Sequence, residues 1–182
     1  ILENAAKIIQ GEISLDIRHS DFQFYEVPDL PEDKECRRLL WKLKRVFFEE
    51  YAAMGRNCEM VQVLSPMRVK TLVSADQMNA QLQNMVNAPV ELGDELRFGA
   101  TRFRRNDRVM QISINYEKTV FNGDMGVIVQ VSEKAGMLLV DFGGTLVEYK
   151  KAELEQLKHC YAITIHKSQG AEYPVVIIPI TG

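Results

Sequence analysis

The chain has 182 residues, of which 46% are apolar, with a formal net charge of −3 and a sequence pI near 5.7. That length gives room for one domain, or for one with a small insertion, and the apolar share is ordinary for a globular core. The acidic balance excludes a surface coated in cations, though not a local basic groove; no run reaches the roughly 18–20 apolar residues of a membrane helix and no signal peptide is present, so a cytoplasmic protein with no membrane partner is expected.

In chain order, Leu2 to Gln10 reads as a helix ended by Gly11, and Asp21 to Val27 (DFQFYEV) alternates like a strand. The first residue is not Met, and the chain is expected to be an excerpt opening inside a helix. From Glu26 to Glu35 five acids face one lysine. Pro31 to Met54 predicts a long amphipathic helix, with Leu39, Leu40, Leu43, Val46, Phe47 and Tyr51 at helical spacing, a stop at Gly55, and Trp41 in core or interface packing. Met60 to Leu64 (MVQVL) reads as a buried strand, and Ser74 to Val86 as a helix with Ser74 as its N-cap. Between Arg97 and Arg108 five arginines accompany a single Asp107, with Phe98 and Phe103 interleaved. This stretch is either part of a channel for a nucleic-acid strand or a solvated connection. Val109 to Ile112, Gly126 to Val131, Met137 to Phe142 and Thr145 to Tyr149 are four short strands, with turn signals at Asn122-Gly123 and Gly143-Gly144. They suit a small antiparallel barrel, or a sheet laid against the main domain. Cys36, Cys58 and Cys160 are far apart, without CxxC spacing, and read as reduced residues with no metal role.

The richest segment is Tyr161 to Pro179, YAITIHKSQGAEYPVVIIP. Ile163 to Ile165 and Val175 to Ile178 carry the β-branched pattern of strands covered on both faces of a parallel sheet. The polar loop between them would then emerge at the carboxyl ends of the strands, where open α/β sheets bind ligands. Strands alternating with helices before it make the fold class α/β.

This string resembles motif V of superfamily 1 helicases, in the wording of the RecD-like branch. The resemblance implies that Thr164, His166, Lys167 and Ser168 face single-stranded DNA, and that Gln169, Gly170 and Glu172 face the nucleotide. Ser65-Pro66-Met67, followed by Met78-Asn79, Leu82-Gln83 and Asn87, is similar to a second signature of that branch, although Val69, Lys70 and Thr71 stand where glycines are usual and Met78 where a leucine is common. It implies a weaker DNA contact at Ser65. Asn106 to Ile128 (NDRVMQISINYEKTVFNGDMGVI) is similar to the opening of the Src-homology-3-like barrel, domain 2B, inserted in RecA-like domain 2A, with Asn106 where a glycine is usual. Weaker DNA roles follow for Asn115 and Tyr116.

The implied organisation is a RecA-like (P-loop NTPase-type) parallel-sheet domain 2A over 1–103, the inserted barrel over 104–157, and the second part of 2A over 158–182. The implied function is the C-terminal motor portion of an ATP-dependent 5′ to 3′ DNA helicase, with ATP and Mg²⁺ as its cofactors. Its implied partners are single-stranded DNA, an N-terminal motor domain of the same chain, and possible nuclease or helicase subunits as in exodeoxyribonuclease V. No GxxxxGK[ST] loop occurs in the 182 residues; Lys70-Thr71, Lys118-Thr119 and Lys167-Ser168 all lack the preceding glycine. The chain alone is therefore expected not to hydrolyse ATP, and no catalytic or metal-ligating residue is assigned. A conjugative relaxase or Pif-type helicase shares HKSQG. From a different class, a binding module built on the barrel would use Tyr116, Phe121 and Tyr149 as an aromatic groove.

Overall fold

The structure is a computed structural model that describes residues 2–12, 14, 15, 17, 21–28, 36–66, 71–89 and 95–180. The chain divides into two compact units, 1–32 and 33–182. In the first, α1 (Leu2–Ile9) ends as the sequence predicts. Gly11, at φ +75°, lets its own amide reach Ile8 O at 3.0 Å and that of Glu12 reach Lys7 O at 2.9 Å, a Schellman closure. The strand expected at Asp21 to Val27 is absent: these residues form no ladder, and the adjacent Phe24 and Tyr25 are both exposed. Alternation alone does not make a strand without a neighbour to accept its hydrogen bonds.

The second unit is a mixed α/β structure. It comprises α2 (Arg37–Ala53), β1 (Val61–Ser65), α3 (Ala75–Val86), β2 (Glu95–Phe98), β3 (Thr101–Arg104), β4 (Arg108–Gln111), β5 (Met125–Ser132), β6 (Met137–Phe142), β7 (Thr145–Lys150), β8 (Leu157–His159), β9 (Ala162–Thr164) and β10 (Val175–Ile177). Of the long helix expected from Pro31, residues 31–35 lie outside the described set. The helix observed starts at Arg37, because Cys36 before it takes the left-handed conformation at φ 59°. Leu40, Leu43, Val46 and Phe47 form its buried face. Trp41 is 64% exposed, which corrects the core alternative of its expected core or interface packing: it lies about 100° round the helix from Leu40. Ser74 occupies the N-cap position of α3, yet its side chain makes no capping bond.

β1 lies at the centre of a three-stranded parallel sheet of order β10-β1-β9, and all five of its residues are buried. The flanking strands depart from the expectation of full cover. Ile165 has left the sheet and is 43% exposed, and Val176 and Ile178 are 43% and 49% exposed, so β10 has one open face. Phe47, Val61, Val63, Met78, Leu82 and Tyr161 are among the residues that pack helices onto this sheet.

A five-stranded antiparallel sheet of order β7-β6-β5-β4-β8 contains all four strands expected between Val109 and Tyr149. Its inner residues Val109, Ile128, Leu138 and Val140 share one core with Leu96 and Phe103 from the β2-β3 hairpin. That hairpin and β8 were not legible in the sequence. Phe103 is 1% exposed, and Arg104, Asp107 and Arg108 are buried with it, which corrects both readings of the arginine-rich segment for these four of its twelve residues, while Arg97, Arg102 and Arg105 stay exposed. Arg104 donates to Glu95 at 3.2 Å and to Asn87 O at 2.8 Å. Tyr149 is also fully buried, its hydroxyl donating to Gln111 at 2.8 Å, so the aromatic groove of the binding-module reading loses one of its three members.

Two backbone positions shape the junction of the sheets. Asn106, between β3 and β4, sits at φ 70° and donates its amide to Ile128 O at 2.7 Å. Gly126 in β5 lies so close to β6 that a Cβ there would come within 2.5 Å of Asp141 O. A smaller apolar cluster of Leu64, Met110, Cys160 and Ile163, with Met125 and Tyr173 packed on it, joins the two sheets.

Burial in that cluster pushes the Cys160 thiol up to about 12 from the usual 9.0. The folded state therefore holds a proton that the unfolded chain releases, and stability present below about pH 9 is lost as pH rises toward 12. Denaturant midpoints measured between pH 8 and pH 11 are expected to fall with pH, and Cys160→Ala is expected to flatten that decline. An equal decline in the variant would show that Cys160 does not contribute to it.

Candidate functional site

Ser65 and Thr164 are register partners at the carboxyl ends of β1 and β9, so the two chain exits leave the sheet side by side. Side-chain amides hold β9 in this position. Asn79 on α3 donates to Ala162 O at 2.8 Å and accepts from Ala162 N at 2.9 Å. Gln62, the one polar residue of MVQVL, donates to Tyr161 O at 3.1 Å from inside the fully buried strand, tying β1 to the segment that leads into β9.

Beyond Thr164 the chain makes one 3-10 turn, Ile165–Ser168. Ser168 Oγ donates to Ile165 O at 2.7 Å and Ala171 N to Ser168 O at 3.0 Å, which closes the turn on itself. His166 and Lys167 are exposed on it, and the Lys167 ammonium reaches Met110 Sδ on β4 at 3.6 Å. Gln169, Gly170 and Glu172 follow, all exposed; Gly170 takes φ +81° with open space where a Cβ would stand. Tyr173 then returns the chain to the protein body. Its hydroxyl lies 3.9 Å from Met125 Sδ, and the Arg108 guanidinium sits 5.8 Å above its ring. The loop is thus anchored at entry by α3 and at exit by the antiparallel sheet, with His166, Lys167, Gln169 and Glu172 exposed between.

The structure therefore brings Thr164, His166, Lys167, Ser168, Gln169, Gly170 and Glu172 onto one short excursion. It does not present Ser65 in the same way. That side chain is buried, and its hydroxyl donates to Val73 O at 2.9 Å, which leaves it facing the interior. Asn115 accepts from Lys118 N at 3.1 Å and donates to Gln156 at 3.1 Å, the work of a turn-forming asparagine. Tyr116 is 79% exposed, its ring edge-on to Phe121 at 6.5 Å. A cleft of about 430 Å³ lies away from the loop, between Tyr51, Cys58, Asn87, Asn106 and Val127, and gathers no reactive pair.

Sequence reasoning missed Asp107. Its carboxylate is fully buried and accepts five hydrogen bonds. Gln83 at 2.6 Å, Arg104 N at 2.7 Å and His159 at 3.0 Å reach Oδ2, and Asn87 at 2.7 Å and the Tyr161 hydroxyl at 3.1 Å reach Oδ1. The signal was present in the sequence: one acid within a five-arginine run, directly before an apolar strand. Burial, with Asp107 adding to it, pushes the Tyr161 hydroxyl far up, so that it stays a donor.

Comparison with known proteins gives two family matches. Residues 78–142 match the SH3 domain of ATP-dependent RecD-like DNA helicases, and residues 159–181 match the UvrD-like helicase C-terminal domain. The ATP-dependent RecD2 DNA helicase of Deinococcus radiodurans is 38% identical over 117 residues, covering 64% of this chain and 16% of that protein. The chain thus spans about one sixth of that relative's length. Among solved structures, the Pif1 helicase from Bacteroides in complex with ADP-AlF3 and single-stranded DNA aligns at 14% identity and TM-score 0.48, over 86% of this chain and 45% of that one. Unliganded Pif1 from a Bacteroides species aligns at 18% identity and TM-score 0.44, over 67% and 46%.

Proposed function

We infer that the chain belongs to the RecD-like superfamily 1 helicases and forms part of the motor of an ATP-dependent DNA helicase moving 5′ to 3′ on single-stranded DNA. Its parallel sheet is read as part of a RecA-like domain 2A, contributed by 1–103 and 158–182. The antiparallel unit, 104–157, is read as the inserted Src-homology-3-like barrel 2B, its sheet and the β2-β3 hairpin enclosing one core. The matched SH3 stretch begins earlier, within α3, and ends with β6.

The observation that carries the reading is the excursion from Thr164 to Glu172 at the adjacent carboxyl ends of β1 and β9. Thr164, His166, Lys167 and Ser168 are proposed to meet the phosphates of the strand, where the Lys167 cation suits anionic oxygens and the Ser168 hydroxyl would turn from Ile165 O to donate. Gln169, Gly170 and Glu172 are proposed to meet ATP: glycine permits close backbone approach, and the Glu172 carboxylate suits hydroxyl or amine donors of the nucleoside better than its phosphates. ATP and Mg²⁺ are proposed as cofactors of the full-length enzyme; among the described residues no group of three or more His, Cys, Asp or Glu could hold a metal ion. The other face of the ATP cleft would come from an N-terminal motor domain, and nuclease or helicase subunits are further candidate partners. No helix of the described residues is long and apolar enough to cross a membrane, and we place the enzyme in the cytoplasm with its DNA.

Closing and opening the cleft with each ATP would shift the excursion against the strand. In the full-length enzyme, Lys167→Ala is expected to weaken single-strand binding and lower its salt slope by about 0.7, as loss of one phosphate contact would. Glu172→Ala is expected to raise the ATP concentration needed for half-maximal turnover while leaving nucleotide-free DNA binding near normal. Salt titrations beside ATPase kinetics test this division. Unchanged binding by Lys167→Ala, with loss of nucleotide-free DNA binding by Glu172→Ala, would reverse the assignment.

A further inference from the structure

We propose that Asp107 is the positioning residue of the DNA-facing turn: it fixes the antiparallel sheet to β9 and thereby sets how His166, Lys167 and Ser168 meet the strand. The proposal rests on the reading of that turn as a DNA contact. Its basis is a closed circuit of hydrogen bonds. Asp107 takes donors from α3 through Gln83 and Asn87, and from the segment leading into β9 through His159 and Tyr161. α3 also grips β9 directly, through the two bonds between Asn79 and Ala162. The main chain of Asp107 closes the third side, its carbonyl accepting from Ile128 N on β5 at 2.9 Å.

The anchor at Tyr161 lies three residues before Thr164. On the other side, Asp107 adjoins Arg108, which sits over Tyr173 and donates to Cys58 O at 3.0 Å, and β4 continues to Met110, the neighbour of Lys167. A single buried carboxylate therefore ties down the strand that enters the turn and adjoins the strand that meets the turn and its exit. Removing one of its donors would loosen the turn's placement without removing any group that meets the ligand.

A role in stability alone and a role in positioning differ in salt dependence. Fewer folded molecules lower the binding amplitude at every salt concentration, whereas a misplaced turn loses a phosphate contact and lowers the slope itself. The test uses the full-length enzyme, with fraction folded measured by circular dichroism and single-stranded oligonucleotide affinity measured across a salt series. Tyr161→Phe removes one hydroxyl from the hub, and Asp107→Asn turns an acceptor oxygen into a donor facing other donors. Both are expected to lower the slope by up to about 0.7, as Lys167→Ala does. Tyr161→Phe combined with Lys167→Ala is expected to lower it no further.

If Lys167→Ala lowers the slope while folded Tyr161→Phe keeps the wild-type slope and affinity, the positioning role is overturned and the DNA reading stands. If Lys167→Ala changes neither quantity, the turn does not meet DNA, and both the reading and this role of Asp107 fail. Should Asp107→Asn not fold, the decision rests on Tyr161→Phe.

Discussion

Replacing Asp107 by alanine is expected to lower the unfolding free energy by about 3–5 kcal/mol, a large share of what holds a domain of this size. The size of the loss follows from the donors left behind. Gln83, Asn87, Arg104 N, His159 and Tyr161 all lose an acceptor in a place where Asp107 is 0% exposed. Each unsatisfied buried donor costs about 1–3 kcal/mol, partly relieved where water or a shifted side chain enters the space. Urea unfolding should show a lower midpoint with an unchanged slope. As a contrast, Arg45→Ala removes an exposed pair with Glu49 at 2.9 Å and is expected to cost well under about 1 kcal/mol. Equal losses for the two variants would mean that the hub contributes no more than a surface pair.

Gly126→Ala is expected to cost about 1–3 kcal/mol, at or above the upper end, although it adds a single methyl group. The new Cβ would meet Asp141 O at 2.5 Å, Val140 Cγ1 at 2.8 Å and Phe142 Cδ1 at 2.9 Å. The first of these is backbone in the paired strand β6, which cannot rotate away, so β5 and β6 must separate at the Val127–Asp141 end of their ladder. Thermal unfolding of Gly126→Ala beside Gly136→Ala gives the comparison. At Gly136 an added methyl group would have Lys151 Cβ as its nearest neighbour, 3.8 Å away, so its cost is one of conformation at φ 62° rather than of space. A neutral Gly126→Ala would show that the sheet accommodates the methyl group.

The α/β order and the strands β1 and β4 to β7 were legible because their residues carry local information: β-branched runs, turn glycines and helical spacing. The HKSQG excursion was legible for the same reason, being contiguous. The misread parts depend on partners distant in sequence. Phe103 and Arg104 look like surface residues until the β2-β3 hairpin folds them inward, and Trp41 looks like core until the register of α2 is known. Asp107 gathers donors from three segments spread between Gln83 and Tyr161, and no local pattern announces that meeting. Ser65 stood in a motif resemblance, which carries no side-chain direction, and its hydroxyl turns inward to Val73.

The left-handed turn at Asn106 limits what this position can hold. At φ 70° glycine is at ease, and asparagine is among the few other residues that enter this region readily. What the position demands is a backbone angle, so a β-branched residue there would strain the bend from β3 into β4, one residue before the aspartate on which the hub depends.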